Sequence, residues 1–371
     1  MAATLAESLA AIPNVEIVLS LSAQAEILGG ASAPRVDLPV RTYEGVGGFI
    51  GRWLGAPFTV RRLAREIARR APDFAICAMP GPLDLLALWA LRRARVPAVV
   101  VVHDADIHPG DGLPLQMRLQ RRLARDADGL VALSEHVAAE LRRQGFTGGD
   151  GGKPLFRASL PPLVFGPLPP PPLAHGGRMR LLSFGRLLPY KGLDLLAEAL
   201  ALLGPRSDFE VRVVGSGPQS DVLARLAAMP GVVVENRWVP EGEVGDLLGW
   251  ADAVVLSHRE ASQSGVAAAA IAARRWVIAT CVGGLAEQLR GESLARLCEA
   301  DAGSLAAAIR DLVEAPPRFA SARSDPRVAW QRTAERLLRE IEEELVLYAN
   351  SSNNARASFR SGVSKPSVNQ S

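Results

Sequence analysis

A chain of 371 residues is long enough for two domains with separate cores, and its 48% apolar and 22% charged content is ordinary globular material. The three cysteines, Cys77, Cys281 and Cys298, show neither CxxC spacing nor an even count, which argues against disulfides and a zinc site and fits a reducing cytoplasm. No apolar run approaches the roughly 20 residues that span a bilayer, residues 1–12 contain Glu7 and no basic n-region, and a formal charge of +3 with 5% aromatics and no binding motif speaks against nucleic acid.

In chain order, residues 5–12 read as a helix and 15–20 as a strand. A helix at 59–71, a strand at 74–79, a helix at 83–94, a strand at 98–103, an arginine-rich helix and a strand at 130–134 follow, and Ser134 caps a helix that ends near Gly145. Apolar strands alternating with helices specify a parallel sheet covered on both faces. Arginines crowd these helices: Arg61, Arg62, Arg65, Arg69 and Arg70, then Arg92, Arg93 and Arg95, then Arg118, Arg121, Arg122 and Arg125. They read first as solvated helix faces, and alternatively as a surface attracted to anionic lipid headgroups.

Composition then changes. Gly148, Gly149, Gly151 and Gly152 loosen the chain, and seven of the twelve residues in 161–172 are proline, which predicts a stiff, extended linker over 161–177 that joins neither sheet. A second alternation fills 178–325, with strands at 180–184, 210–214, 232–235, 253–256 and 276–280. A charged amphipathic helix covers 326–348, and 349–371, rich in Ser and Asn, reads as a disordered tail. The fold class is therefore α/β, with two doubly wound Rossmann-like domains, 1–160 and 178–325, facing a cleft at the carboxyl ends of their strands.

Within the second domain, LLSFGRLLPYKGLDLLAEAL (181–200) is a strand, a turn over 185–192 and a helix with leucines at helical spacing. Such a junction aims unpaired backbone N–H groups and the positive end of a helix dipole at an anion. Arg186 and Lys191 flank that position. Only three of the 42 basic residues are lysines, so a lysine in this turn is an exception; the alternative is a surface lysine near a helix start. EASQSGV (260–266) is a second junction, where small or polar Ser262, Gln263, Ser264 and Gly265 let backbone amides approach an anion. Gly215-Ser216-Gly217-Pro218 follows a strand but lacks the full GxGxxG, so it reads as a turn and not as a nicotinamide site.

FGRLLPYKGLDLLAEAL resembles the donor-phosphate motif of the group 1 glycosyltransferases (glycosyltransferase family 4), retaining enzymes of the GT-B fold. HREASQSGVAAAAIAARRWVIATCVGGLAEQL, residues 258–289, is similar to the family's second signature. The resemblance implies that Glu260, otherwise a helix-capping acid, is the first glutamate of a pair beside the transferred sugar. It implies that His103, otherwise a loop histidine pairing with Asp104 or Asp106, contacts that sugar, a role for which His108 competes. It places the nucleotide base near Trp238 and Val239. The second glutamate is replaced by Ala268 or Ala269, neither able to accept a ribose hydroxyl; Trp276 stands where proline is common, and Gly283, Gly284 and Glu287 restore the pattern. The family's opening strand and Gly-rich loop are not seen before the first helix, which is expected to leave two interior strand edges unpaired.

These readings imply a retaining transfer of sugar from a nucleoside diphosphate donor to a sugar or lipid-linked hydroxyl acceptor, in polysaccharide or glycolipid synthesis. No metal is expected, and no cofactor beyond the donor as co-substrate. Arg186, Lys191 and the amides of Ser264 to Val266 would stabilise the leaving diphosphate, with Gly185, Ser262, Gln263, Ser264, Gly265, Val266 and Val239 around the donor. Glu260 and His103 would orient the sugar. The expected location is the cytoplasm, with peripheral contact at the inner face of an anionic membrane. The alternatives are a sugar-nucleotide 2-epimerase, or a binding subunit that holds the donor through Arg186 and Lys191 but transfers sugar poorly.

Overall fold

The structure, a computed structural model, describes residues 1–29, 33–106, 114–147, 152–317 and 325–361; His108, Gly148, Gly149 and Gly151 lie outside them. The N-terminal half comprises α1 (Ala2–Ala10), α2 (Gly45–Leu54), α3 (Ala56–Arg70), β1 (Ala75–Cys77), α4 (Asp84–Ala94), β2 (Ala98–Val102), α5 (Pro114–Asp126), β3 (Gly129–Ala132), α6 (Glu135–Arg143) and β4 (Leu155–Arg157). All four strands are parallel, in the order β1-β2-β3-β4. Every residue of β2 and β3 is buried, because alternate side chains serve opposite layers. Val100, Val102 and Leu130 meet Leu85, Leu123 and Val137 of α4, α5 and α6, whereas Val99, Val101 and Val131 pack with Leu5 and Leu9 of α1.

Residues 15–20, expected as a strand, enter neither sheet. The Leu19 carbonyl accepts from the amides of Asp37 and Leu38, Leu21 accepts from Val40, and a lone bridge joins Ser22 to Val40. Their apolar character supplies β-propensity, but a strand forms only where a neighbour completes the ladder. The four strands of the sheet are contiguous, so no interior gap opens; β1 is simply an edge without a further strand partner among the described residues.

The C-terminal half runs β5 (Met179–Phe184), α7 (Leu193–Leu203), β6 (Phe209–Gly215), α8 (Asp221–Ala227), β7 (Val232–Asn236), α9 (Glu241–Trp250), β8 (Ala253–Leu256), α10 (Gly265–Ala272), β9 (Trp276–Thr280), α11 (Gly283–Leu289), β10 (Ala295–Cys298) and α12 (Ala302–Glu314). Its parallel sheet has the order β10-β9-β8-β5-β6-β7. Successive strands therefore move one way from β5 and then the other way from β8, and these two lie side by side. A doubly wound sheet opens a crevice at such a reversal, beyond the carboxyl ends of its strands.

A last helix, α13 (Pro326–Ser361), continues 13 residues past the predicted end at 348. Residues 349–361 thus continue the helix where a disordered tail was expected, and 362–371 lie outside the described residues. Trp330, Ala334, Leu337 and Ile341 return the chain to the α1 side of the N-terminal sheet. No helix of the described residues is long and apolar enough to cross a membrane.

The linker was expected to join neither domain, yet its far end is fastened to the second. Asp252, buried ahead of β8, accepts from the Leu173 amide at 2.6 Å, the Arg180 amide at 2.8 Å and His175 Nε2 at 2.9 Å. Buried Arg275 donates to the Pro170 carbonyl; burial lowers its pKa, and the charge of Asp252 opposes that shift. Asp252→Ala would strip three donors of their acceptor and leave Arg275 without its counter-charge. It should lower stability by about 3–5 kcal/mol, read as a fall in melting temperature; an unchanged melting temperature would contradict this anchoring.

Candidate functional site

The site begins where β5 and β8 end. After β5 come Gly185, Arg186 and a 3₁₀ turn at Pro189–Lys191; after β8 come Ser257 and His258. The two turns are bonded together: the Arg259 amide donates to the Tyr190 carbonyl at 2.8 Å, and Ser257 Oγ donates to the Lys191 carbonyl at 3.0 Å. Gly192, at φ +64°, lets them meet, since a Cβ there would lie 1.9 Å from the Ser257 carbonyl oxygen. Arg259 also reaches back to Asp194 in the first turn of α7, with Nη2 at 2.5 Å from Oδ2. Burial pushes the Asp194 carboxyl up, but the hydrogen bond and charge of Arg259 outweigh it and hold that carboxyl below its ordinary range.

Within this clasp the cations are placed. Buried Tyr190 takes a hydrogen bond on its hydroxyl from Arg186 Nη2 at 2.9 Å, and its ring carries Arg186 Cζ at 5.8 Å and Lys191 Nζ at 5.0 Å from its centroid. Lys191 Nζ lies 2.8 Å from Nε2 of His258, whose residue is 3% exposed. An ammonium can only donate, so Nε2 accepts and the imidazole proton is assigned to Nδ1. Thr280 Oγ1 fixes that histidine by donating to its carbonyl at 2.5 Å. A ring, a fork and a point charge are thus held together at the mouth of the crevice.

The second element that presents backbone donors is the start of α10. Ser264 is its N-cap, with Oγ accepting from the Ala267 amide at 3.1 Å. The sequence reading gave the Ser264 amide to the diphosphate. Instead it donates to Gln288 Oε1 at 2.8 Å, while Gln288 Nε2 donates to the Ser264 carbonyl at 3.0 Å. An amide spent inside the protein is not available to a ligand, so the exposed-end donors of α10 are those of Gly265 and Val266. Val266 Cγ2 is 3.7 Å from where a Cβ on Gly185 would stand, which brings the two junctions into contact.

Across the cleft, His103 follows β2. Its Nε2 is 2.9 Å from the Ala78 carbonyl and therefore carries the proton; Nδ1 faces Gln263 Nε2 of the other domain at 3.4 Å. Glu260 is exposed and lines a cleft of about 430 Å³ with Arg259, Ala261 and Ser262, opposite Asp106, His136 and Glu140. Hydrogen bonds from Arg143 and Gln144 hold the Glu140 carboxyl down to about 2. Val239 stands apart from both, packed on the core after β7. Two strand spacings separate β7 from β5, about 10 Å.

Two contacts close the cleft's far side. Ser134 Oγ donates to the Ser262 carbonyl at 2.9 Å, and the Glu287 carboxylate accepts from the amides of Glu135 at 2.6 Å and His136 at 2.8 Å. A carboxylate on those amides complements the dipole of α6. Gly284 permits this approach, because a Cβ there would lie 1.7 Å from the Ser262 carbonyl oxygen. Tyr190, His258, His136 and the clasping role of Glu287 were missed from sequence. Position two residues beyond the carboxyl end of β8 was the available signal for His258; His136 lies in the first turn of α6, four residues past β3.

The chain matches two family models, one described as glycosyl transferases group 1 over residues 178–315 and one as a glycosyl transferase 4-like domain over residues 2–150. No curated protein matches it in sequence. Among solved structures it is similar to a sucrose-phosphate synthase from Thermosynechococcus elongatus, with 17% identity, 95% of this chain and 92% of that one covered, and a TM-score of 0.57. HepE from Anabaena, solved with UDP and glucose, has 18% identity over 84% of this chain and 86% of that one, with a TM-score of 0.58. A putative UDP-N-acetylglucosamine 2-epimerase from Listeria monocytogenes has 14% identity over 92% of each chain, with a TM-score of 0.59. At these identities the shared feature is the fold, two parallel-sheet domains about a cleft.

Gly192 and Gly176 provide a matched test of the clasp, since both have left-handed φ, +64° and +68°, but only a Cβ at Gly192 meets other atoms. Gly176→Ala should cost about 1–2 kcal/mol from backbone strain alone. Gly192→Ala should melt lower still, by the clash added to that strain. Equal melting temperatures for the two variants would show that the turns do not depend on their close approach.

Proposed function

The chain belongs to the group 1 glycosyltransferases, and from that premise we propose that it moves a sugar from a nucleoside diphosphate donor to a hydroxyl of a sugar or lipid-linked acceptor, with retention of anomeric configuration. The observation that carries this reading is the junction of β5 and β8, where Arg186 and Lys191 are held on Tyr190 and His258 and the start of α10 approaches Gly185 through Val266. The bond from the anomeric carbon to the diphosphate oxygen breaks, and the bond to the acceptor oxygen forms. Negative charge grows on the diphosphate as it leaves, and fixed donors aimed there lower the barrier. Arginine suits a two-pronged grip on one phosphate and lysine a point contact with the other. The acceptor proton passes to a leaving phosphate oxygen, so no separate base is required.

Glu260 and His103 orient the sugar from opposite walls of the cleft. The nucleoside lies toward Val239, at a distance that suits a ribose and base beyond a diphosphate held at β5. Because HepE was solved with UDP and glucose, UDP-sugars are the first donors to test here. Polysaccharide or glycolipid assembly is the setting we infer for the product.

Lys191→Met removes the point charge while keeping most of the side chain's bulk. Donor turnover, measured as nucleoside diphosphate released with acceptor present, should fall by about 100-fold or more, with little change in melting temperature. Unchanged turnover in the folded variant would remove Lys191 from the site. A C2 epimer formed from donor alone would favour the epimerase reading, and donor binding without transfer would favour a binding subunit.

A further inference from the structure

Helices α2 and α3 act as one rod. The Gly55 amide donates to the Gly51 carbonyl and the Thr59 amide to the Gly55 carbonyl, each at 3.0 Å, so helical bonding passes through Gly55. The rod's inner side is anchored by aromatic edges: Tyr43 to Phe49, Phe49 to Trp53, and Trp53 to Trp89 of α4, with centroids 5.1, 6.2 and 5.9 Å apart. Ala56, Ala64 and Ile67 add buried contacts farther along. Core packing therefore accounts for one face.

The outer face is apolar as well. Val46, Ile50, Leu54 and Phe58 recur every fourth residue, as neighbours on one helix side do, and they are 76%, 53%, 80% and 74% exposed. A helix that packs on a core with one face ordinarily turns polar residues to water with the other. The same rod carries six arginines and a single acid, Glu66, over residues 45–70, and Arg61, Arg62, Arg65 and Arg69 are exposed.

We propose that this face docks on an anionic bilayer, with Val46, Ile50, Leu54 and Phe58 entering the boundary between headgroups and acyl chains and the α3 arginines pairing with lipid phosphates. Charge selects this occupant. A symmetric pair of copies would bury the stripe but bring together two rods that each carry six arginines and one acid, whereas an anionic membrane satisfies the apolar stripe and the cations together. The inference does not rest on the transferase reading, because vesicle binding is measured without donor or acceptor.

The test is co-sedimentation of the full chain with phosphatidylcholine vesicles and with vesicles carrying about one third phosphatidylglycerol. The protein should bind the anionic vesicles and bind them less as salt rises. Leu54→Ser/Phe58→Ser should lower partitioning about tenfold or more, and Arg61→Gln/Arg62→Gln/Arg65→Gln by roughly a hundredfold. Val46→Ser/Ile50→Ser serves as a second stripe variant should the first lose its helical signal in circular dichroism. The proposal is overturned by no binding to anionic vesicles, by equal binding to neutral and anionic ones, by folded stripe variants that partition like the parent, or by a dimer that the stripe variants abolish.

Discussion

The candidate site depends on two turns held against each other, the one after β5 and the one after β8. Neither turn could place a cation alone. The Arg259 amide on the Tyr190 carbonyl and Ser257 Oγ on the Lys191 carbonyl fix one backbone relative to the other, and Gly192 supplies the space in which they touch. Only with the backbones fixed can His258, from one turn, accept from Lys191, on the other. That contact holds an otherwise floppy four-carbon side chain in one place. Preorganisation of this kind lets a charge act on a transition state without first being ordered.

The same logic extends between domains. Ser134 and Glu287 join the loops of the two halves through hydrogen bonds to backbone, and His103 meets Gln263 across the cleft. Asp252 and Arg275 meanwhile tie the end of the proline-rich linker to the second sheet, and α13 returns to the first. The free length between domains is thus shorter than the proline run suggests. The stretch before Pro170 is held as well: the Leu163 amide donates to the Ala268 carbonyl at 3.2 Å, and Trp330 Nε1 donates to the Pro162 carbonyl at 2.9 Å.

Much of this was legible because it is local. The strand-turn-helix of 181–200 and the EASQSGV junction are contiguous in sequence, so the turn that carries Arg186 and Lys191 and the helix start at Gly265 and Val266 could be located from spacing alone. Partners 67 residues apart, as Lys191 and His258 are, leave no such trace. The Ser264 amide was misassigned for the same reason, since Gln288 reaches it from another helix. Helix α2 was overlooked because four of its ten residues are glycine, a composition that disfavours helix and is overridden here by the aromatic contacts of Phe49 and Trp53. Residues 15–20 erred the other way: β-propensity was present and a sheet neighbour was not.

The central claim is that the β5–β8 junction recognises a diphosphate. Calorimetric titration of the unaltered protein with UDP, GDP and ADP, each beside its parent nucleoside, measures this directly. At least one nucleoside diphosphate should bind about 100-fold more tightly than its nucleoside, consistent with about 3 kcal/mol from charge-assisted contacts to two phosphates. Binding in which no diphosphate exceeds its nucleoside would contradict the account.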